Sequence, residues 1–238
     1  MNITEVAVAV FIKPDGTFLL SSRPEGKPYA GFWEFPGGKI EAGETVLEAL
    51  VRELSEELAV AITEASPWFT FTMRYTHAHV RLHCWRVQAW RGEMRGLEGQ
   101  LFEWQSLKAL TVAPTLPGCV PIFKALALPL IYIELEANID QVLLTPTELA
   151  VMTARPPHEL IGALVSTRNE LEDAAKLMCD FAVVNMVERS PQGWQLFSTL
   201  ATATPLPCYV AGAVTEQDLA MAISHGAQGI ARLLVAKP

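Results

Sequence analysis

The stretch GKIEAGETVLEALVRELSEELAV, residues 38–60, sets a glycine-flanked turn in front of an amphipathic helix rich in glutamate. Thr45 followed three residues later by Glu48 is a capping-box pair, hydroxyl and carboxylate each satisfying a free backbone N–H, so a helix starts there. Leu47, Leu50, Val51, Leu54 and Leu58 recur at steps of three and four and stack into an apolar stripe. At about 100° per residue, Glu53, Glu56 and Glu57 gather in a sector largely opposite that stripe, where their repulsion is unfavourable unless a cation sits among them. Clustered carboxylates suit a hard divalent ion, Mg²⁺ in particular, which is bound through a few carboxylates, water and substrate phosphates. Such an ion offsets phosphate charge and can acidify a bound water. A solvated acidic face is the plain alternative for any Glu-x-x-Glu-Glu helix. Glycines at 37, 38 and 43, which let the backbone bend and approach phosphate or metal closely, favour the metal.

Gly38, Glu44, Arg52, Glu53, Glu56 and Glu57 also stand at the spacing of the Nudix box. The stretch resembles that signature of pyrophosphohydrolases at every position except the penultimate, where the family has Gly and this chain has Ala59. The preceding segment, SSRPEGKPYAGFWEFPGGK, and the later Leu97-Glu98-Gly99-Gln100 with Glu103-Trp104 resemble the MutT branch. Its members cleave nucleoside triphosphates to monophosphate and pyrophosphate and favour oxidised guanine nucleotides. The resemblance implies an α/β/α sandwich with a mixed sheet. It implies Gly38, Glu53, Glu56, Glu57 and Glu98 around Mg²⁺, with Mn²⁺ as the alternative ion, and Glu53 and Glu98 as the catalytic carboxylates. Arg23, Glu34, Lys39 and Cys119 are placed at the substrate, and Glu44 and Arg52 support the site. Arg52 could instead form an ordinary helical ion pair with Glu48; the family role of orienting the glutamates is preferred. Ala59 would cost about 1 kcal/mol if it keeps the left-handed turn of a glycine. Cys119 falls where the branch has an Asn that reads the guanine edge, and a thiol is a weak donor and weak acceptor, so preference for 8-oxoguanine is in doubt.

Around this centre, Val6 to Phe11 and Phe18 to Leu20 read as strands joined through the turn Lys13-Pro14-Asp15-Gly16. Phe32, Trp33 and Phe35 read more as core than as a stacking surface. His77, His79, Arg81 and His83 share one parity, the polar face of a half-buried strand, and zinc is the weaker reading of them.

The chain has 238 residues, and a boundary falls near Ala127 to Pro129, dividing residues 1–128 from 129–238. Beyond it, apolar runs at Ile131 to Leu135, Gln141 to Leu144, Leu160 to Val165, Phe181 to Val187, Pro207 to Val214 and Gly229 to Val235 alternate with amphipathic segments, a β/α pattern. LIGALVSTRNELEDAAKLMCDFAVVNMV and LPCYVAGAVTEQDLAMAISHGAQGIARLLV resemble the thiamine-phosphate-synthase and TenI group of barrels. This half has about half the roughly 200 residues of a complete barrel, so a partial barrel lacking its first strands is expected. The shortened, His-free loop Glu188-Arg189-Ser190-Pro191-Gln192-Gly193 and the turn Ala211-Gly212-Ala213 argue against independent catalysis. A structural, ligand-sensing or homodimer-forming role is expected instead.

Half of the residues are hydrophobic and 18% are charged, as suits a chain with buried cores. No apolar run reaches the ~18 residues of a membrane span and the first residues have no basic leader, so no membrane association and a cytoplasmic location are expected. Four scattered cysteines fit reduced thiols. The net charge of -8 opposes duplex nucleic acid as a partner. The sequence therefore points to a Mg²⁺-dependent nucleoside triphosphate pyrophosphohydrolase that cleanses oxidised nucleotides. The alternatives are a Nudix hydrolase of another pyrophosphate, of thiamine-pathway or nucleotide-sugar type, and a non-catalytic ligand-binding scaffold.

Overall fold

The computed structural model describes residues 3–76, 78–133, 140–185, 190–212 and 215–233. It divides into two compact units, one of residues 1–67 with 71–127 and one of residues 68–70 with 128–238.

In the first unit β1 (Thr4–Phe11), β2 (Phe18–Ser22), β3 (Trp33–Glu34), β4 (Gly37–Lys39), α1 (Val46–Leu58), β5 (Ala61–Arg74), β6 (His79–Arg91), β7 (Phe102–Gln105) and α2 (Cys119–Ala127) follow one another. A mixed sheet has the order β4-β1-β6-β5, with β1 parallel to β6 and antiparallel to β4. A small antiparallel sheet, β3-β2-β7, stands apart. The expected turn at Lys13–Gly16 forms, with Lys13 N–H donating to Thr17 O at 2.9 Å. Its two strands join only through the bridge Ile12–Phe18 before entering different sheets.

Alternation along β1 builds the layers. Ala7, Ala9 and Phe11 face α1 and pack with Ala49, Leu50, Leu54 and Leu58. Val6 and Val8 line the other side with Cys119 and Ile122 of α2. Each buried Leu of α1 contributes about 1.5 to 3 kcal/mol by leaving water. The sequence stripe needs a correction here: Leu47 and Val51 are 40% and 44% exposed, and Ala49 is buried in their stead. The helix is rotated so that its small residue meets β1, where the alanines bring the backbones close.

In the second unit β8 (Ile131–Ile133), β9 (Gln141–Leu144), α3 (Pro146–Val151), β10 (Leu160–Val165), α4 (Arg168–Lys176), β11 (Phe181–Val184), α5 (Pro191–Ala201), β12 (Cys208–Ala211), α6 (Glu216–Ser224) and β13 (Gly229–Arg232) form a β/α array. Its six strands run parallel in the order β8-β13-β12-β11-β10-β9. The unit's first strand thus sits beside its last, the neighbours that closing a barrel requires. Among the described residues the shortfall from eight strands falls between β8 and β9 and not ahead of the unit's first strand, where it was expected. One face of the sheet packs under α3 to α5 through Leu149, Leu171, Trp194 and Phe197. The other carries Tyr132, Phe181 and Tyr209, with ring centroids 4.8 to 5.7 Å apart. Residues 186–189 and 213–214, which include Glu188 and Arg189 of the loop and Ala213 of the turn weighed for catalysis, lie outside the described residues.

Candidate active site

Helix α1 begins as its sequence requires. Thr45 accepts from Glu48 N–H, and the Glu48 carboxylate accepts from Thr45 N–H at 2.7 Å. With Glu48 engaged in its cap, Arg52 turns to Glu44. Its Nε donates to Glu44 Oε1 at 2.7 Å, its Nη2 to Glu44 Oε2 at 2.9 Å and to Lys39 O at 3.0 Å, and its Nη1 to Glu53 Oε1 at 2.8 Å. The guanidinium therefore ties the turn, the strand before it and the helix together. The Arg52 side chain, backed by the Glu41 N–H, holds the Glu44 carboxyl down to about 2.

The glutamates do not all occupy the outer sector. Glu53 and Glu57 lie on the shoulder of the packed face, the Glu53 side chain 16% exposed, whereas Glu56 is 62% exposed and touches only the edge of Arg52 at 3.6 Å. Rotation of the helix toward Ala49 brings the first two inward. Gly38 makes room for them: a Cβ there would lie 2.0 Å from the Glu53 carboxyl carbon. Gly37 is needed for another reason, since a Cβ on it would meet Ala7 O at 2.1 Å.

Glu98 reaches the same place from a loop. Leu97 N–H and the Gln100 side-chain amide both donate to Glu57 O, each at 2.9 Å, and Gln100 Oε1 accepts from Glu98 N–H at 2.8 Å. The loop is pinned to the last turn of α1, whose carbonyls lack intrahelical partners. Burial pushes the Glu57 carboxyl up to about 7, opposed by Lys27 and reinforced by the charges of Glu53, Glu98 and Glu34. The charges of three other carboxylates are therefore felt at Glu57.

Among the described residues, no group of three or more His, Cys, Asp or Glu side chains is gathered closely enough to hold a metal as it stands. Arg52 and Lys27 engage the carboxylate oxygens instead, Lys27 Nζ lying 2.7 Å from Glu98 Oε2. The donor set nevertheless fits a hard divalent cation. Its ligands are all oxygen, Gly38 leaves space against Glu53, and Glu57 is a half-buried carboxylate whose ionisation is unfavourable without added positive charge.

Glu34 joins this cluster to a cleft. It pairs with Arg23 Nη1 at 2.5 Å, burial holds its carboxyl above the ordinary value, and it lines a cavity with Phe35, Gly37, Tyr75, Leu82, Leu116 and Cys119. Cys119 is buried, its Sγ 3.7 Å from Trp33 O, and burial pushes its thiol up to about 12, so it stays neutral. Phe35 and Trp33 are core residues by burial. Lys39 is exposed and enters the site through its carbonyl. His83 and Arg81 both engage Glu5, at 2.7 and 2.8 Å, and His77 lies outside the described residues.

Helix α1 ends at Ala59 in the left-handed conformation, φ 59° and ψ 29°, so the glycine geometry is retained by an alanine. Sequence reasoning passed over Lys27, Tyr75 and Gln100. Gln100 stood inside the quoted loop motif, but nothing in its spacing announced that it would clamp the loop to α1.

A NUDIX domain model matches residues 3–124 and a Thiamine monophosphate synthase model matches residues 130–234. The chain is 36% identical over 125 residues to a CTP pyrophosphohydrolase of Escherichia coli (strain K12), covering 52% of this chain and 92% of that protein. It is 34% identical over 126 residues to an 8-oxo-dGTP diphosphatase of the same organism, covering 53% and 98%. Among solved structures, MutT from Aliivibrio salmonicida and Vibrio cholerae aligns with a TM-score of 0.45 at 30% identity, over 52% of this chain and 97% of that one. The chain belongs to the NUDIX domain family, and the expectation of a Nudix pyrophosphohydrolase is met with it.

Proposed function

We propose that the first unit is a Mg²⁺-dependent nucleoside triphosphate pyrophosphohydrolase that releases nucleoside monophosphate and pyrophosphate, and that the domain boundary falls between residues 128 and 129. The observation that carries this reading is the Arg52 network that holds Glu44 and Glu53 against Gly38, beside a Glu57 carboxyl that feels the charges of Glu53, Glu98 and Glu34, with Glu34 also lining a largely apolar cleft. Glu53, Glu56, Glu57, Glu98 and Gly38 hold the cation, with Mn²⁺ as an alternative to Mg²⁺. Bound there, it offsets phosphate charge and lowers the pKa of water. The protein's own groups do the rest. Arg52 fixes Glu53 and Glu44, Glu53 or Glu98 accepts the proton of the attacking water, and Arg23 and Lys39 are at the substrate. Phe35 and Tyr75 offer the base apolar walls.

The cleft bears on which base is taken. Cys119, neutral and directed at Trp33 O, offers no paired donor and acceptor. We infer a tolerant base site, in keeping with relatives named for a cytosine and for an oxidised guanine nucleotide. A panel of ordinary and oxidised nucleoside triphosphates, nucleotide sugars and thiamine-pathway pyrophosphates, with product identity as the readout, tests the assignment. Monophosphate and pyrophosphate should appear only with the divalent ion, and Glu53→Gln should abolish them. An undiminished rate in that variant sinks the reading, and tight binding without turnover would favour a scaffold.

A further inference from the structure

The two cations within the cluster are held in different ways. Arg52 makes four hydrogen bonds to three residues and is 25% exposed. The Lys27 ammonium makes one hydrogen bond, to Glu98, and both partners are nearly half exposed, 46% and 43%. The first is a fixture. The second is a single exposed ion pair of the kind that contributes little to stability and exchanges readily.

The segment that presents Lys27 is nonetheless braced. Arg23 Nε donates to Pro28 O at 2.7 Å, Arg23 N–H to Phe32 O at 2.8 Å, Gly31 N–H to Arg23 O at 3.0 Å and Ala30 N–H to Lys27 O at 3.1 Å. The Tyr29 ring packs on Phe32 and Tyr75, at 5.3 and 5.8 Å. Backbone and aromatic contacts thus aim a mobile four-carbon side chain at the cluster, and Arg23, which is paired to Glu34, belongs to the same brace. A lysine so placed competes with a divalent cation for the Glu98 carboxylate, whose charge it neutralises and whose Oε2 it occupies. Phosphate oxygens bound beside such a cation are the nearest new anions, and an ammonium is a compact point charge suited to them.

We propose that Lys27 is a phosphate-binding residue of this enzyme, which occupies Glu98 in the substrate-free protein in competition with the divalent cation and transfers to the substrate's phosphate oxygens when the nucleotide binds. The proposal rests on the reading of Glu98 as a carboxylate of the active cluster. It makes paired demands that a mere surface ion pair does not: loss of the lysine strengthens metal binding and weakens substrate binding.

The test uses the full chain with Lys27→Met, Lys27→Arg and Glu98→Gln. Mn²⁺ binding is measured without nucleotide from the spectrum of the free ion, and KM and kcat are measured with a nucleoside triphosphate. Lys27→Met should bind Mn²⁺ about 2 to 5 times more tightly, by the size of an exposed ion pair, while KM rises about tenfold with kcat changed less. Lys27→Arg should restore most of KM. Unchanged or weaker Mn²⁺ binding in Lys27→Met overturns the competition, and an unchanged KM overturns the phosphate contact. Glu98→Gln separates this from the underlying assignment: Mn²⁺ binding undiminished in that variant removes Glu98 from the cluster itself.

Discussion

Replacing Glu57 by Gln should make the metal-free protein more stable while disabling its site. The Glu57 carboxyl is pushed up to about 7 from an ordinary 4.5, first by burial and then by the charges of Glu53, Glu98 and Glu34, against the opposing charge of Lys27. Between those two values the folded protein binds a proton that the unfolded chain has released, so unfolding free energy falls as pH rises through the window. The amide carries no such liability. At about 1.4 kcal/mol per pKa unit, discounted for the partial exposure of the side chain, the gain of Glu57→Gln over wild type is about 2 kcal/mol at pH 8. It shrinks to well under ~1 kcal/mol near pH 4.5. In a chain of this size that is a rise of about 4 to 8 °C in Tm. Tryptophan fluorescence in EDTA follows it, since Trp33, Trp85, Trp90 and Trp104 all lie in the first unit. With excess Mg²⁺ the order should reverse, because wild type gains a bound ion that the variant has lost a ligand for. A variant no more stable than wild type at pH 8 in EDTA, or equally displaced at both pH values, would refute the electrostatic account of the cluster.

Gly38→Ala places a methyl 2.0 Å from the Glu53 carboxyl carbon. The neighbour is the far end of a side chain, so Tm should move little while kcat falls on the order of 100-fold, the scale of a misplaced catalytic group; a simple activity assay and melt decide it. Ala59→Gly relieves a left-handed residue at the end of α1 and should stabilise by about 0.5 to 1 kcal/mol, measured by urea unfolding. Cys119→Asn puts an amide into the cleft and should raise the ratio of kcat/KM for 8-oxo-dGTP over CTP by about tenfold, the worth of a bidentate base contact. A ratio that stays the same would mean that Cys119 does not face the base.

Much of this could be read from residue types and spacing because it is local. The capping box of Thr45 and Glu48 spans only three peptide units, and it forms as expected. Each of the six apolar runs of the second half contains a strand, although the ends of the runs at Leu135, Val187, Val214 and Val235 lie outside the described residues. Periodicity located the helix but misjudged its rotation. Leu47 and Val51 have the right spacing for the stripe, yet β1 presents alanines there, and packing chose Ala49. That rotation is what draws Glu53 and Glu57 into partial burial and leaves Glu56 outside.

The sequence by itself determined the turn-and-helix pattern of residues 38–60, the start of the helix and the β/α nature of the second half, all set by contacts within a few residues or by a short repeat. Only the tertiary structure decided the company those residues keep. Lys27 meets Glu98 across 71 positions, Gln100 clamps the carbonyl of Glu57 across 43, and β8 pairs with β13 at the far end of its unit. Such pairings carry no local signature, because they arise when the chain closes loops whose entropic cost only the assembled core offsets.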